Sequence, residues 1–143
     1  MPSLFLALLL ASFPLAAGPA WAEAIGPENV ARGETLFRRC VSCHSIGEGA
    51  KSKVGPVLSG VVGRRVASYP GYDYGRAIKA LGETGAVWTR DALLDYLFDS
   101  KRYLRMRLND PRARSKMAYS VGKLQDRIDL VAYLRTLSAP AGQ

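Results

Sequence analysis

Five consecutive residues, Cys40-Val41-Ser42-Cys43-His44, hold the only two cysteines and the only histidine of a 143-residue chain. Two thiols with two residues between them, followed at once by an imidazole, form the C-x-x-C-H pattern of covalent haem attachment. The thiols of Cys40 and Cys43 add to the two vinyl groups of the porphyrin as thioethers. The spacing sets the sulfurs about a helical turn apart, near the span of the vinyls. His44 then lies under the iron as proximal ligand. One haem c held in this way constrains the fold, because the chain must wrap the cofactor and tune its chemistry.

The first 22 residues carry no charged side chain, and Leu4 to Leu15 is an apolar run. Ala20-Trp21-Ala22 follows as an A-x-A cleavage site, so residues 1–22 are expected to be a secretory signal peptide. Its n-region lacks Lys and Arg, which leaves an uncleaved anchor as the alternative, but the run is short and interrupted by Pro14. No stretch is long and apolar enough for a stable membrane span. Residues 23–143 then form a single domain in an exported compartment. With 20 Lys and Arg against 12 Asp and Glu, the net charge is +8, which favours an acidic partner surface. Nucleic acid is the rival partner for such a basic chain; no nucleic-acid motif appears, and an exported chain rarely meets one.

In an exported chain the two cysteines have other uses. They can close a disulfide, but helical spacing precedes the pair, whereas a thioredoxin-like C-x-x-C site follows a strand. Zinc needs a fourth ligand, and nothing in the sequence points to one.

The coarse reading is all-α. A helix is expected from Pro27 to Arg39, with Pro27 in its first turn, Glu28 at the positive end of the dipole, and Val30, Gly33 and Phe37 on the inward face. Ser45 to Gly75 is a Gly/Ser/Pro-rich loop, too long to be idle in a compact domain and understandable if it wraps a haem. Arg76 to Leu81 suits a short helix. Thr89 is the N-cap of another, with Asp91 in its first turn and Leu93, Leu94, Tyr96 and Leu97 at helical spacing. Asn109 to Lys123 reads as a second loop. Gln125 to Leu137 closes the chain as a helix with Leu130, Leu134 and Leu137 as its apolar stripe and Asp126 and Asp129 near its positive end. The tail from Ser138 is expected to fray.

A low-spin electron carrier needs a second strong axial ligand, and no second histidine exists. Methionine is the usual alternative and raises the reduction potential. Beyond the leader only Met106 and Met117 remain. Met117 sits in a turn-rich loop and Met106 alternates with arginines. Context leans towards Met117, and either residue is equally readable as a core filler.

Taken with their order and spacing, several blocks make residues 23–143 resemble class I cytochrome c, in the long bacterial cytochrome c2 style. These are the haem motif, Gly55-Pro56-Val57-Leu58-Ser59-Gly60-Val61-Val62-Gly63-Arg64, Pro70-Gly71-Tyr72-Asp73-Tyr74, Trp88, Leu93 to Leu97, Ser115-Lys116-Met117 and Asp129 to Leu134. The resemblance implies a small helical domain with long loops around one covalent haem. It makes Met117 the sixth ligand and directs the Pro56 carbonyl to His44 Nδ1–H. Leu58 packs on the porphyrin, Tyr74 and Trp88 donate to propionates, and Arg64 lies near a propionate. Tyr96 approaches the Met117 sulfur, and Gly33 lets the first helix cross the last at Leu130 and Tyr133. The chain departs from the family where Asp99-Ser100 stands in place of a common proline, and where Ile78 replaces a common asparagine.

The implied function is a periplasmic one-electron carrier, monomeric, taking electrons from a cytochrome bc-type complex and passing them to a terminal oxidase or photosynthetic reaction centre. Rivals are a dedicated partner of one periplasmic dehydrogenase, which would share the fold, and a haem peroxidase, which would need an open sixth position. Seven cations (Lys101, Arg102, Arg105, Arg107, Arg112, Arg114 and Lys116) precede Met117 with Asp110 as the sole acid among them. They are expected to rim the haem edge, joined by Lys51 and Lys53, and to steer acidic partners.

Overall fold

The crossing of the first and last helices fixes the architecture. The structure, a computed structural model, describes residues 25–137; the expected signal peptide and the tail from Ser138 lie outside the described residues. Five helices follow in order: α1 Val30–Phe37, α2 Arg76–Glu83, α3 Arg90–Phe98, α4 Ser100–Leu108 and α5 Leu124–Thr136. Among the described residues the only sheet-like feature is an isolated antiparallel bridge between Arg65 and Val87. No helix among them is long and apolar enough to cross a membrane.

Gly33 on α1 meets α5 where a Cβ would stand 2.0 Å from the Asp129 carbonyl oxygen and 2.9 Å from Tyr133 Cβ. The two backbones therefore approach as only glycine permits. The expected partner Tyr133 is confirmed, and Asp129, rather than Leu130, makes the tightest approach. Phe37 and Tyr133 continue the contact with ring centroids 5.6 Å apart.

The start of α1 differs from the sequence expectation. Its N-cap is Asn29, whose side chain accepts from the Arg32 N–H at 2.9 Å, so Pro27 lies outside the helix. Glu28 pairs with Arg90 and Arg135 and so ties the N-terminal segment to α3 and α5. Val30 is 42% exposed; the buried residues are Gly33 and Phe37, one turn apart.

Thr89 caps α3 as expected, accepting from the Ala92 N–H at 3.1 Å, with Asp91 in the first turn and Leu93, Leu94 and Leu97 buried. The helix α4 was not legible as one. Asp99 ends α3 and caps α4 by accepting from the Arg102 N–H at 2.8 Å; Asn109 ends α4 in the left-handed region at φ 49°. Only Ser100, Tyr103 and Leu104 of its nine residues are buried, so its apolar stripe is too narrow to stand out among four cations. In α5, Leu130 and Leu134 are buried and Leu137 is half-buried at the C-cap. The 45–75 loop is anchored rather than idle. Val57 is fully buried, Ser59 Oγ accepts from the Gly47 N–H at 2.7 Å, and the Gly60 N–H donates to the Leu137 carbonyl at 2.9 Å.

Candidate haem site

Directly after α1 the chain turns back on itself. The Cys40 N–H reaches the Phe37 carbonyl at 2.7 Å, and the Cys43 and His44 N–H groups both reach the Cys40 carbonyl, at 3.1 and 2.8 Å. This turn holds Cys40, Cys43 and His44 in one short arc, with both cysteines half-buried and not joined to each other. The His44 Nδ1–H donates to the Pro56 carbonyl oxygen at 2.8 Å, as the family resemblance implies. A carbonyl can only accept, so the proton sits on Nδ1 and the Nε2 lone pair is left for a metal. Burial holds the His44 pKa below its ordinary value, partly opposed by the bond to Pro56. The ring is thus kept neutral, the form that binds iron. Burial also pushes the Cys40 thiol up, helped by the neighbouring Cys43 and opposed by Arg39.

Gly55 has a structural role that the sequence reading did not give it. A Cβ there would stand 2.3 Å from His44 Cε1 and 2.6 Å from Nδ1. The imidazole therefore comes closer to the backbone here than any side chain would allow. The signal was present in Val54-Gly55-Pro56, where a glycine precedes the proline whose carbonyl is needed.

His44 opens onto a largely apolar cavity of about 530 Å³. All ten residues singled out from the sequence line it: Cys40, Cys43, His44, Pro56, Leu58, Arg64, Tyr74, Trp88, Tyr96 and Met117. Phe37, Val61, Leu104 and Leu130 add apolar wall that the sequence reading had assigned no cofactor contact. Trp88, Tyr96 and Tyr103 form one aromatic cluster, with Trp88 and Tyr96 centroids 4.9 Å apart and Tyr96 and Tyr103 centroids 5.7 Å apart, edge to face. Tyr74 OH accepts from the Tyr69 N–H at 3.2 Å, which leaves its own proton free to donate.

Arg64 is the informative polar group. Its two terminal nitrogens donate to the Ser59 and Val57 carbonyls at 3.2 and 3.0 Å, while its buried Nε has no partner. Burial pushes its pKa down, and among the described residues no carboxylate pairs with it. A half-buried guanidinium with an orphaned donor on a cavity wall wants an anion. A haem propionate fits that demand, and the apolar walls fit a porphyrin.

Met117 reaches the cavity from the loop after α4. Its N–H donates to Ser115 Oγ at 3.1 Å, and its carbonyl accepts from Ser100 Oγ at 2.8 Å. Tyr96 OH lies 3.3 Å from Ser115 Oγ, so its hydroxyl engages the serine two residues before Met117. This contact ties Tyr96 to the loop that carries Met117, and both residues line the same cavity. The next residue back is tied down as well: Lys116 Nζ donates to the Asp73 carbonyl at 2.7 Å. Met106 is 68% exposed on α4 and does not line the cavity, which removes it both as rival ligand and as core filler.

The basic segment divides. Arg114 and Lys116 line the cavity together with Arg39. Arg102 and Arg107 face a separate groove with Asp91 and Asp95, and Arg105 Nε donates to the Ala113 carbonyl at 3.2 Å. Four of the seven cations lie on α4 and three in the loop after it, so they point several ways and do not make one rim. Lys51 does not line the cavity, and Lys53 Nζ donates to the Val41 carbonyl at 2.8 Å, beside the attachment motif.

Known proteins agree with this geometry. The cytochrome c family model matches residues 30–138. Cytochrome c2 iso-1 of Rhodospirillum centenum is 41% identical over 113 residues, covering 75% of this chain and 94% of the relative. Cytochrome c2 of Agrobacterium tumefaciens (strain II Chrys) is 42% identical over 107 residues, covering 74% and 89%. The solved structure of cytochrome c2 from Rhodospirillum centenum superposes with a TM-score of 0.74 at 36% identity, covering 78% of this chain and 99% of that one. With the thiol pair, the oriented imidazole and the apolar cavity in place, the chain belongs to the cytochrome c family, as a class I protein of cytochrome c2 type carrying one covalently bound haem c.

Proposed function

We propose that this protein is a periplasmic one-electron carrier that moves electrons from a cytochrome bc-type complex to a terminal oxidase or reaction centre, and that it acts as a carrier rather than an enzyme. The haem supplies the one-electron couple. Cys40 and Cys43 tether it, and His44 and Met117 hold the iron from two separate segments. Pro56 orients His44, Leu58 packs on the macrocycle, and Arg64, Tyr74 and Trp88 serve the propionates. One observation carries the reading. A neutral, oriented imidazole and a methionine held at both its backbone polar groups share the wall of one apolar cavity. Two tethered ligands leave no open position for a substrate at the metal. The apolar walls exclude water, which keeps solvent reorganisation small when charge changes.

Arg39 and Arg114 on the cavity wall are the cations best situated to meet an acidic partner, since Lys116 is paired with Asp73. Second-order electron transfer with a bc-type complex should therefore slow steadily as ionic strength rises, because the Debye length shrinks to about 10 Å at 0.1 M salt. Reversing the charge of Arg114 should reduce that salt dependence. Rates indifferent both to salt and to the Arg114 reversal would refute the proposed docking.

A further inference from the structure

Ser100 is the first residue of α4 and is 5% exposed. A serine at a helix start usually serves the helix by capping it. Here Asp99 already caps α4, so the Ser100 hydroxyl is not needed for that purpose. It donates instead to the carbonyl oxygen of Met117, 17 residues on, at 2.8 Å. Helix chemistry therefore does not explain the serine; the bond to Met117 does.

The Met117 backbone is held from both sides. Ser115 Oγ takes its N–H at 3.1 Å and Ser100 Oγ gives to its carbonyl. Farther along, the Val121 N–H donates to the Leu97 carbonyl at 2.8 Å and closes the loop onto the end of α3. Fixing both peptide planes around Met117 fixes the direction in which its side chain leaves the backbone. We propose that Ser100 is a positioning residue for the sixth ligand, pinning the Met117 carbonyl to the start of α4 and so keeping the thioether at the cavity. The inference rests on Met117 as an iron ligand. It adds a named residue, outside the cavity lining, that sets how readily that ligand lets go.

The test is competition at the metal. Ferric holoprotein in wild-type, Ser100→Ala and Ser100→Thr forms is titrated with imidazole, following loss of the weak methionine–ferric charge-transfer band. Denaturant unfolding is recorded in parallel. Alanine is a strong helix former, so Ser100→Ala should fold. Losing one net hydrogen bond on the bound side should tighten imidazole binding about fivefold in Ser100→Ala, with Ser100→Thr close to wild type. A merely structural serine would move the unfolding midpoint and leave imidazole affinity unchanged. That outcome overturns the proposal while Met117 keeps its role, as does equal tightening in both variants. A wild-type protein without the band overturns the Met117 assignment and this inference with it.

Discussion

Asp129 shows how much one buried side chain can organise. At 1% exposure it sits in the α1–α5 crossing. Its Oδ1 accepts from the Asn29 N–H and from Gln125 Nε2, both at 2.9 Å, and its Oδ2 pairs with Arg32. The sequence suggested a dipole partner for its own helix, but the residue instead serves the N-terminus of α1. Burial alone would raise its pKa; the donors from Arg32, Asn29 and Gln125 outweigh that and hold it below the ordinary 3.8. A depressed carboxylate contributes stability above its unfolded pKa and loses it as pH falls through the lower folded value. Asp129→Asn should therefore destabilise the holoprotein by about 1.5–3 kcal/mol at neutral pH. The deficit should shrink as acid protonates the wild-type carboxyl. Denaturant unfolding of both proteins across pH checks this, and a deficit constant down to the acid limit would contradict it.

Between elements, the α1–α5 crossing depends on the missing side chain of Gly33. A methyl there would have to displace the Asp129 backbone, since the gap to its carbonyl oxygen is only 2.0 Å. Gly33→Ala should cost about 3 kcal/mol or more, the upper range for overpacking, despite alanine's better helix propensity. Unchanged unfolding in denaturant would show that the helices separate freely. This crossing was legible in the sequence because a glycine in a helical stripe asks for a packing reason. The caps at Thr89 and the stripes of α3 and α5 were legible for equally local reasons. The start of α1 was not, because Asn29 and Pro27 both offer helix-start chemistry and only tertiary contacts of Glu28 and Asn29 decide between them. Nor was α4, whose order comes from Tyr103 and Leu104 packing into the core rather than from a strong periodic signal.

At the scale of the whole molecule, attachment motif, Pro56 loop, aromatic cluster and Met117 loop converge on one cavity from segments spread between residues 37 and 134. The motif residues were readable because cysteine and histidine are rare in this chain, whereas Met117 was set apart from Met106 by the resemblance to class I cytochrome c. Gly55 and Ser100 were harder to see, since their roles are a close approach and a long-range hydrogen bond that composition does not encode. The spread of the cations was hidden for a related reason: a run of charges reveals its directions only once it is known that its first part is helical and the rest a loop. The central claim is that His44 and Met117 together hold the iron. The optical spectrum of the ferric holoprotein at neutral pH tests it most directly. The weak methionine–ferric charge-transfer band should be present in wild type and in Met106→Ala, and absent in Met117→Ala. A wild-type spectrum without that band, or its loss on removing Met106, would contradict the account.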